Sequence, residues 1–176
     1  MKTVRDVCEY VANKIRYCPT IVETGCTYGQ PANEDDTTTN NLAWLAGVGR
    51  GQLVSIDINP VHIGFAKSFI GGYCYNATFI CGDSVDVLKG LSFSDGLDLL
   101  CLDSKEFDED HMVNEYDAIE SQFNEKHFVL VDDIHNGSSV KFKKMVPLLK
   151  ELGYNSWREV PTPTGLFVAA KGYNLW

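Results

Sequence analysis

The chain has 176 residues, enough for one domain that buries roughly 70% of its unfolded surface. It carries 24 Asp and Glu against 15 Lys and Arg, a formal charge of -9. That balance, with no basic patch interleaved by aromatics, argues against nucleic acid as a partner. No run of 18 apolar residues and no secretory leader is present, so neither a membrane span nor export is expected. The six cysteines (Cys8, Cys18, Cys26, Cys74, Cys81 and Cys101) form no CxxC pair. A zinc site is therefore not expected, and the thiols read as reduced, in a cytoplasmic compartment.

In chain order, Val4, Val7, Cys8, Val11 and Ile15 recur at helical spacing, which predicts an amphipathic helix over 3–17, stopped by Pro19. Five short apolar runs follow at 20–24, 52–57, 77–81, 97–102 and 127–132. Between them the spacing predicts helices at 38–48, about 60–70, from Ser84 to about Leu91, and at 110–124. A last helix is predicted over 138–152, with Pro147 inside it and Gly153 ending it. Strands alternating with helices imply a mostly parallel sheet with both faces covered. Residues 155–161 and 165–170 leave no room for a helix between them, so they form an antiparallel edge hairpin. The whole chain reads as a single domain, an N-terminal helix followed by an α/β core over 19–176. Residues 31–36 are polar and read as a loop beside the pocket.

Ligands of such sheets bind outside the carboxyl ends of the strands. The first run ends Glu23-Thr24-Gly25-Cys26-Thr27-Tyr28-Gly29, an acid followed by glycines four apart. Gly25 and Gly29 permit a sharp turn and close approach to a ligand. Asp57, followed by Ile58, ends the second run, where a carboxylate can accept ribose hydroxyls. Gly82-Asp83-Ser84 ends the third, where an adenine would lie, and Asp103 ends the fourth. Glu23 is placed to attract an ammonium or sulfonium charge. A ligand that is positive there and carries adenosine is S-adenosylmethionine. The expected cofactor set is thus Glu23, Thr24, Gly25, Gly29, Asp57, Ile58, Gly82, Asp83, Ser84 and Asp103.

Taken together, E-x-G-x-x-x-G at 23–29, Asp57, Gly82-Asp83-Ser84 and the closing hairpin resemble the class I S-adenosylmethionine-dependent methyltransferases. Within them the chain looks closest to the small O-methyltransferases related to catechol O-methyltransferase. The resemblance covers nearly the whole chain. It implies a Rossmann-like three-layer sandwich with strand order 3-2-1-4-5-7-6. In that family an Asp after strand four and an Asp-Asn pair after strand five hold Mg²⁺, which grips two vicinal substrate oxygens. Asp103, Asp132 and Asp133 fall on those positions, with Asp-Asp in place of Asp-Asn. Crowded carboxylates of this kind repel unless a cation bridges them. The family's lysine base stands three residues after the strand-four Asp; here Lys105 stands two after it and Glu106 three. Lys105 with Asp103 form the expected catalytic pair, with His111 as the alternative base.

The leading reading is methyl transfer to a hydroxyl of a small molecule, assisted by metal. Two alternatives stand beside it. One is an NAD-dependent oxidoreductase, disfavoured because the turn lacks G-x-G-x-x-G. The other is a module that binds S-adenosylmethionine without turnover, kept open by the offset of Lys105. The candidates to close over substrate are the 30–36 loop, residues 104–111, the 134–140 segment and the second subunit of a homodimer. Tyr28, Phe107 and Trp157 are the aromatics considered for the acceptor site.

Overall fold

The computed structural model describes residues 1–15, 17–29, 37–70, 76–154 and 156–175. Seven strands form one sheet in the order β3-β2-β1-β4-β5-β7-β6. The strands are β1 (Thr20–Thr24), β2 (Gln52–Asp57), β3 (Ala77–Cys81), β4 (Leu97–Leu102), β5 (Phe123–Asp132), β6 (Ser156–Val160) and β7 (Leu166–Lys171). β1 to β5 pair in parallel, and β7 runs antiparallel to both β5 and β6. The strand order and the edge hairpin are those expected.

Both faces of the central strands are apolar because helices cover both. In β4, Leu99 and Cys101 face one cluster while Leu97, Leu100 and Leu102 face the other. The first cluster packs against α1 (Val4–Ala12) and α2 (Thr38–Gly49), and α3 (Pro60–Phe69) adds Ile63 and Ala66 beside Phe79. The second packs against Leu88 of α4 (Ser84–Gly90), Met112, Tyr116 and Ile119 of α5 (His111–Ile119), and Met145 and Leu149 of α6 (Phe142–Glu151).

Local chemistry sets the helix starts. Thr3 and Asp6 form a reciprocal capping box on α1. Asn59 caps α3, which has Pro at its start, and Asp83 caps α4 by accepting from the amides of Val85 and Asp86. Three boundaries differ from expectation. α1 ends at Ala12 rather than 17, where Asn13 caps it and Lys14 N closes a turn on Val11 O (2.9 Å). α5 ends at Ile119, and β5 starts at Phe123 after a 3-10 turn, although helical spacing continues to residue 124. The Asn124 amide donates to Asp98 at the start of β4 (2.8 Å), so sheet pairing overrides the local period. α6 starts at Phe142 rather than 138, because the preceding residues are drawn into backbone bonds with another loop, such as Val140 N to Glu106 O (2.9 Å).

The turn after β1 is held from both sides. Gly25 N donates to Ile56 O of β2 (2.8 Å), and Asp103 N donates to Thr24 O (2.9 Å). Gly25 has φ +79°, and a Cβ there would lie 2.5 Å from Asp103 O. Its freedom is therefore needed for contact with the end of β4. Gly29 has φ +77°, and among the described residues no atom lies within 4 Å of a Cβ placed there.

These two glycines can be separated experimentally. Gly29→Ala is expected to cost only the left-handed strain, about 1–2 kcal/mol. Gly25→Ala adds a clash with backbone and is expected to cost at least twice as much, read as the shift in urea midpoint at constant slope.

Candidate functional site

A cavity of about 1420 Å³ opens at the carboxyl ends of the parallel strands. Of the residues expected to hold a cofactor, Gly25, Asp57, Ile58, Gly82, Asp83, Ser84 and Asp103 line it. Cys26, Tyr28 and His62 complete that wall. Glu23, Thr24 and Gly29 are not among the lining residues.

Glu23 instead lies fully buried beneath the turn. One carboxyl oxygen accepts from Thr39 Oγ1 (2.9 Å) and the other from Ser55 Oγ (2.6 Å). Thr39 Oγ1 also receives Thr27 N (2.7 Å), while Thr27 Oγ1 accepts from Thr39 N (3.3 Å). Glu23 therefore anchors the glycine turn to the start of α2. Burial drives its pKa up to about 8, against the two hydroxyl bonds, which favour the ionised form. Thr24 is also inward: its hydroxyl donates to Glu115 (3.1 Å).

Asp57 is the acid that reaches the cavity. Oδ1 accepts from Asn59 N (2.7 Å), and Oδ2 accepts from Cys26 N (3.1 Å) and lies 3.2 Å from His62 Nδ1. The His62 ring stacks on Tyr28 with centroids 4.4 Å apart. Cys26 Sγ also donates to Asp57 Oδ2 (3.6 Å). These bonds aim the carboxylate, and Oδ1, with Asn59 N as its one donor among the described residues, keeps an acceptor position. Burial and the neighbouring Asp57 and Glu23 charges push the Cys26 thiol far above its ordinary pKa, so it is an inert filler.

A fully buried Glu115 on α5 forms the other wall's hub. Oε1 accepts from Ser84 Oγ and from Ser104 Oγ (2.5 Å) and lies 3.2 Å from His111 Nε2. His111 also meets Ser84 Oγ at 3.0 Å. Glu115 thus ties the ends of β1, β4 and α4 to α5. Its hydrogen bond raises the His111 pKa, outweighing burial. The sequence held a signal for this hub. Glu115 stands three residues from Met112 and four from Ile119, an acid on an apolar stripe.

The acids expected to bind metal divide. Asp132 is turned away: Oδ2 accepts from Thr38 Oγ1 (2.8 Å) and Oδ1 from its neighbour Asp133 N (2.8 Å). Asp103 and Asp133 do converge, and Glu106 joins them, one oxygen of each lying within 4.8 Å of the others. The buried Lys141, just before α6, puts its ammonium between them. Nζ lies 2.6 Å from Asp103 Oδ1, 2.9 Å from Glu106 Oε1 and 3.0 Å from Asp133 Oδ2. A fourth bond reaches Asp103 O (3.2 Å). The residues therefore do not fit a resident Mg²⁺, because a protein cation already sits among the carboxylates. Burial lowers the Lys141 pKa, but the Asp103 and Asp133 charges outweigh it and hold the amine protonated.

Lys105 lines the cavity with its amine on Asp108 (3.2 Å). Phe107 lines it as well, whereas Trp157 lies half-exposed on β6 beneath Lys150. The 30–36 loop and Cys74 lie outside the described residues. The described cysteines are free thiols, and no described helix is long and apolar enough to cross a membrane.

No protein-family model matches the chain, and no curated protein matches it. Solved structures do match. An rRNA methylase of Streptococcus thermophilus superimposes with TM-score 0.65 at 11% identity, covering 97% of both chains. The SAH-bound methyltransferase PaMTH1 of Podospora anserina gives 0.66 at 15% identity, covering 95% of this chain and 76% of its own. CalS11, a TDP-rhamnose 3'-O-methyltransferase, gives 0.66 at 15%, covering 96% and 78%. The chain has the class I methyltransferase fold. At these identities the likeness establishes the fold and leaves the chemistry to the site itself.

Glu23 yields a pH test. Its folded pKa of about 8 exceeds the ordinary value of 4.5, so the folded state holds the extra proton. The associated stability is present below pH 4.5 and is lost as pH rises through 8, by up to about 1.4 kcal/mol per unit. Glu23→Gln keeps the shape and cannot ionise. Its urea-derived stability relative to wild type is expected to rise steadily between those limits.

Proposed function

We propose that this protein transfers a methyl group from S-adenosylmethionine to a hydroxyl of a small molecule. The observation that carries the reading is Asp57: a carboxylate at the end of β2, fixed by three neighbours, facing a cleft between the glycine turn and Gly82–Ser84. A hydroxyl-bearing ribose suits that acceptor, and the backbone at 25–26 and 82–84 leaves space for an adenosyl group. When bound, S-adenosylmethionine supplies a methyl group already activated by its sulfonium. The fold shared with methyltransferases supports the same reading.

The protein's task is to align the acceptor oxygen and take its proton. Lys105 and Asp103 are the groups assigned to those roles. The Lys105–Asp108 pair is exposed, and such pairs are worth about 0–1 kcal/mol, so the side chain can leave Asp108, release its proton to solvent and, as the free amine, take the proton of an acceptor hydroxyl. Asp103, on the Lys141 ammonium, forms the fixed wall beside it.

The lining sets the acceptor's charge class. Asp57, Asp83, Asp103, Glu106, Asp108, Glu109, Asp110 and Asp133 line the cavity together with Lys105 and Lys144. An excess of carboxylate repels polyanions and favours a neutral or cationic hydroxylated molecule. Likeness in fold to an rRNA methylase is therefore not carried over to the acceptor.

Calorimetry tests the cofactor. S-adenosylmethionine and S-adenosylhomocysteine are expected to bind and NAD not to, and Asp57→Ala is expected to weaken binding at least tenfold. Preference for NAD, or indifference to Asp57→Ala, overturns the reading. A panel of neutral and cationic hydroxylated compounds with methyl-labelled cofactor then reads transfer, and the Lys105→Met variant is expected to lose at least tenfold in rate.

A further inference from the structure

We propose that the Lys141 ammonium is the resident cation of the acceptor end of the cleft, occupying the position that a divalent ion would take among Asp103, Glu106 and Asp133. The proposal rests on reading that end as the acceptor site of a methyltransferase.

The geometry is that of a cation site built from protein. Three carboxylates from two segments, Asp103 and Glu106 on one loop and Asp133 on the other, turn one oxygen each toward a common centre. Left alone they would repel, and such oxygen sets ordinarily recruit Mg²⁺ or Ca²⁺. Here a buried side chain answers them. The Nζ distances of 2.6–3.0 Å are only a few tenths of an ångström beyond Ca²⁺–oxygen distances of about 2.3–2.6 Å. An ion and the ammonium therefore cannot share the centre. The ammonium has three protons and four oxygens within reach, including Asp103 O. It has none to spare for a substrate oxygen, so Lys141 is a positioning residue that acts through the carboxylates. What it positions is the seam between two loops. Val140 N–Glu106 O (2.9 Å) and Lys144–Asp110 (2.7 Å) close the same seam on either side.

Two consequences follow. The intact protein takes up no divalent cation at this site, so chelators leave transfer unchanged. Removing the ammonium turns the cluster into a divalent-cation site.

Mn²⁺ titration followed by electron paramagnetic resonance reads both without requiring turnover. Wild type is expected to leave the free Mn²⁺ signal intact. Lys141→Ala is expected to deplete it with one equivalent bound, at least a hundredfold tighter than wild type, and to gain thermal stability from Mn²⁺. Because the alanine variant leaves three unbalanced acids, Lys141→Ala combined with Asp133→Asn is the second variant. It conserves net charge, keeps three oxygen ligands, and is expected to fold and bind Mn²⁺. Tight Mn²⁺ binding by wild type overturns the proposal, as does a folded variant of either kind that takes up none. Calorimetry with S-adenosylhomocysteine on the same samples separates the two readings: loss of cofactor binding in wild type sinks the methyltransferase assignment, whereas the manganese signal decides the cation.

Discussion

The fold brings several strand-end carboxylates close together in a poorly hydrated place, and each has to be answered by a donor or a cation. That constraint shapes the surrounding structure. Glu23 is answered by two hydroxyls, Asp57 by two backbone amides and a histidine, Asp132 by Thr38, and Asp103 with Asp133 by Lys141. Glu115 belongs to the same economy of charge, collecting hydroxyls from three other elements. Because an unanswered buried charge is costly, these partners also fix where the loops run. The cavity's shape is thus a product of how its acids are satisfied.

Satisfying an acid also sorts it by role. A carboxyl group with both oxygens held by hydroxyls and no exposure, as in Glu23, is a structural tie. Asp57 differs because its donors aim it while one acceptor position stays available toward the cavity. The same reasoning separates the two acids that end β5: Asp132 braces the start of α2, and Asp133 closes the seam between the 103–110 and 133–141 segments. Neighbours in sequence point to different partners because Asp132 closes the strand whereas Asp133, just past it, takes a left-handed backbone (φ +62°) that turns the chain.

Much of the architecture was legible in the sequence because it rests on local signals. Apolar runs of five or six residues gave the strands, Asn59-Pro60 and Asp83 marked helix starts, and the lack of a helical stretch between 161 and 165 dictated the edge hairpin. The cavity-facing acids Asp57 and Asp103 were legible for the same reason, since strand ends can be counted. What local patterns could not carry was the direction of a buried side chain. Glu23 sits on the expected motif yet turns under it, because Thr39 and Ser55 come from elements distant in sequence. Lys141 gave no signal at all: a lysine just ahead of a helix reads as a solvated charge until three remote carboxylates are placed around it. Phe123 and Asn124 show the converse, a helical period overruled by pairing with β4.

The central claim is that the glycine turn, Asp57 and the Gly82–Ser84 segment together form an adenosyl-binding cleft. Amide hydrogen exchange with and without S-adenosylhomocysteine measures this most directly, because it reports each segment separately. Protection concentrated in 25–29, 57–62, 82–85 and 103–106, with β6 and β7 unchanged, is the result this account predicts. Uniform exchange in the presence of saturating ligand, or protection confined to segments away from those strand ends, would contradict it.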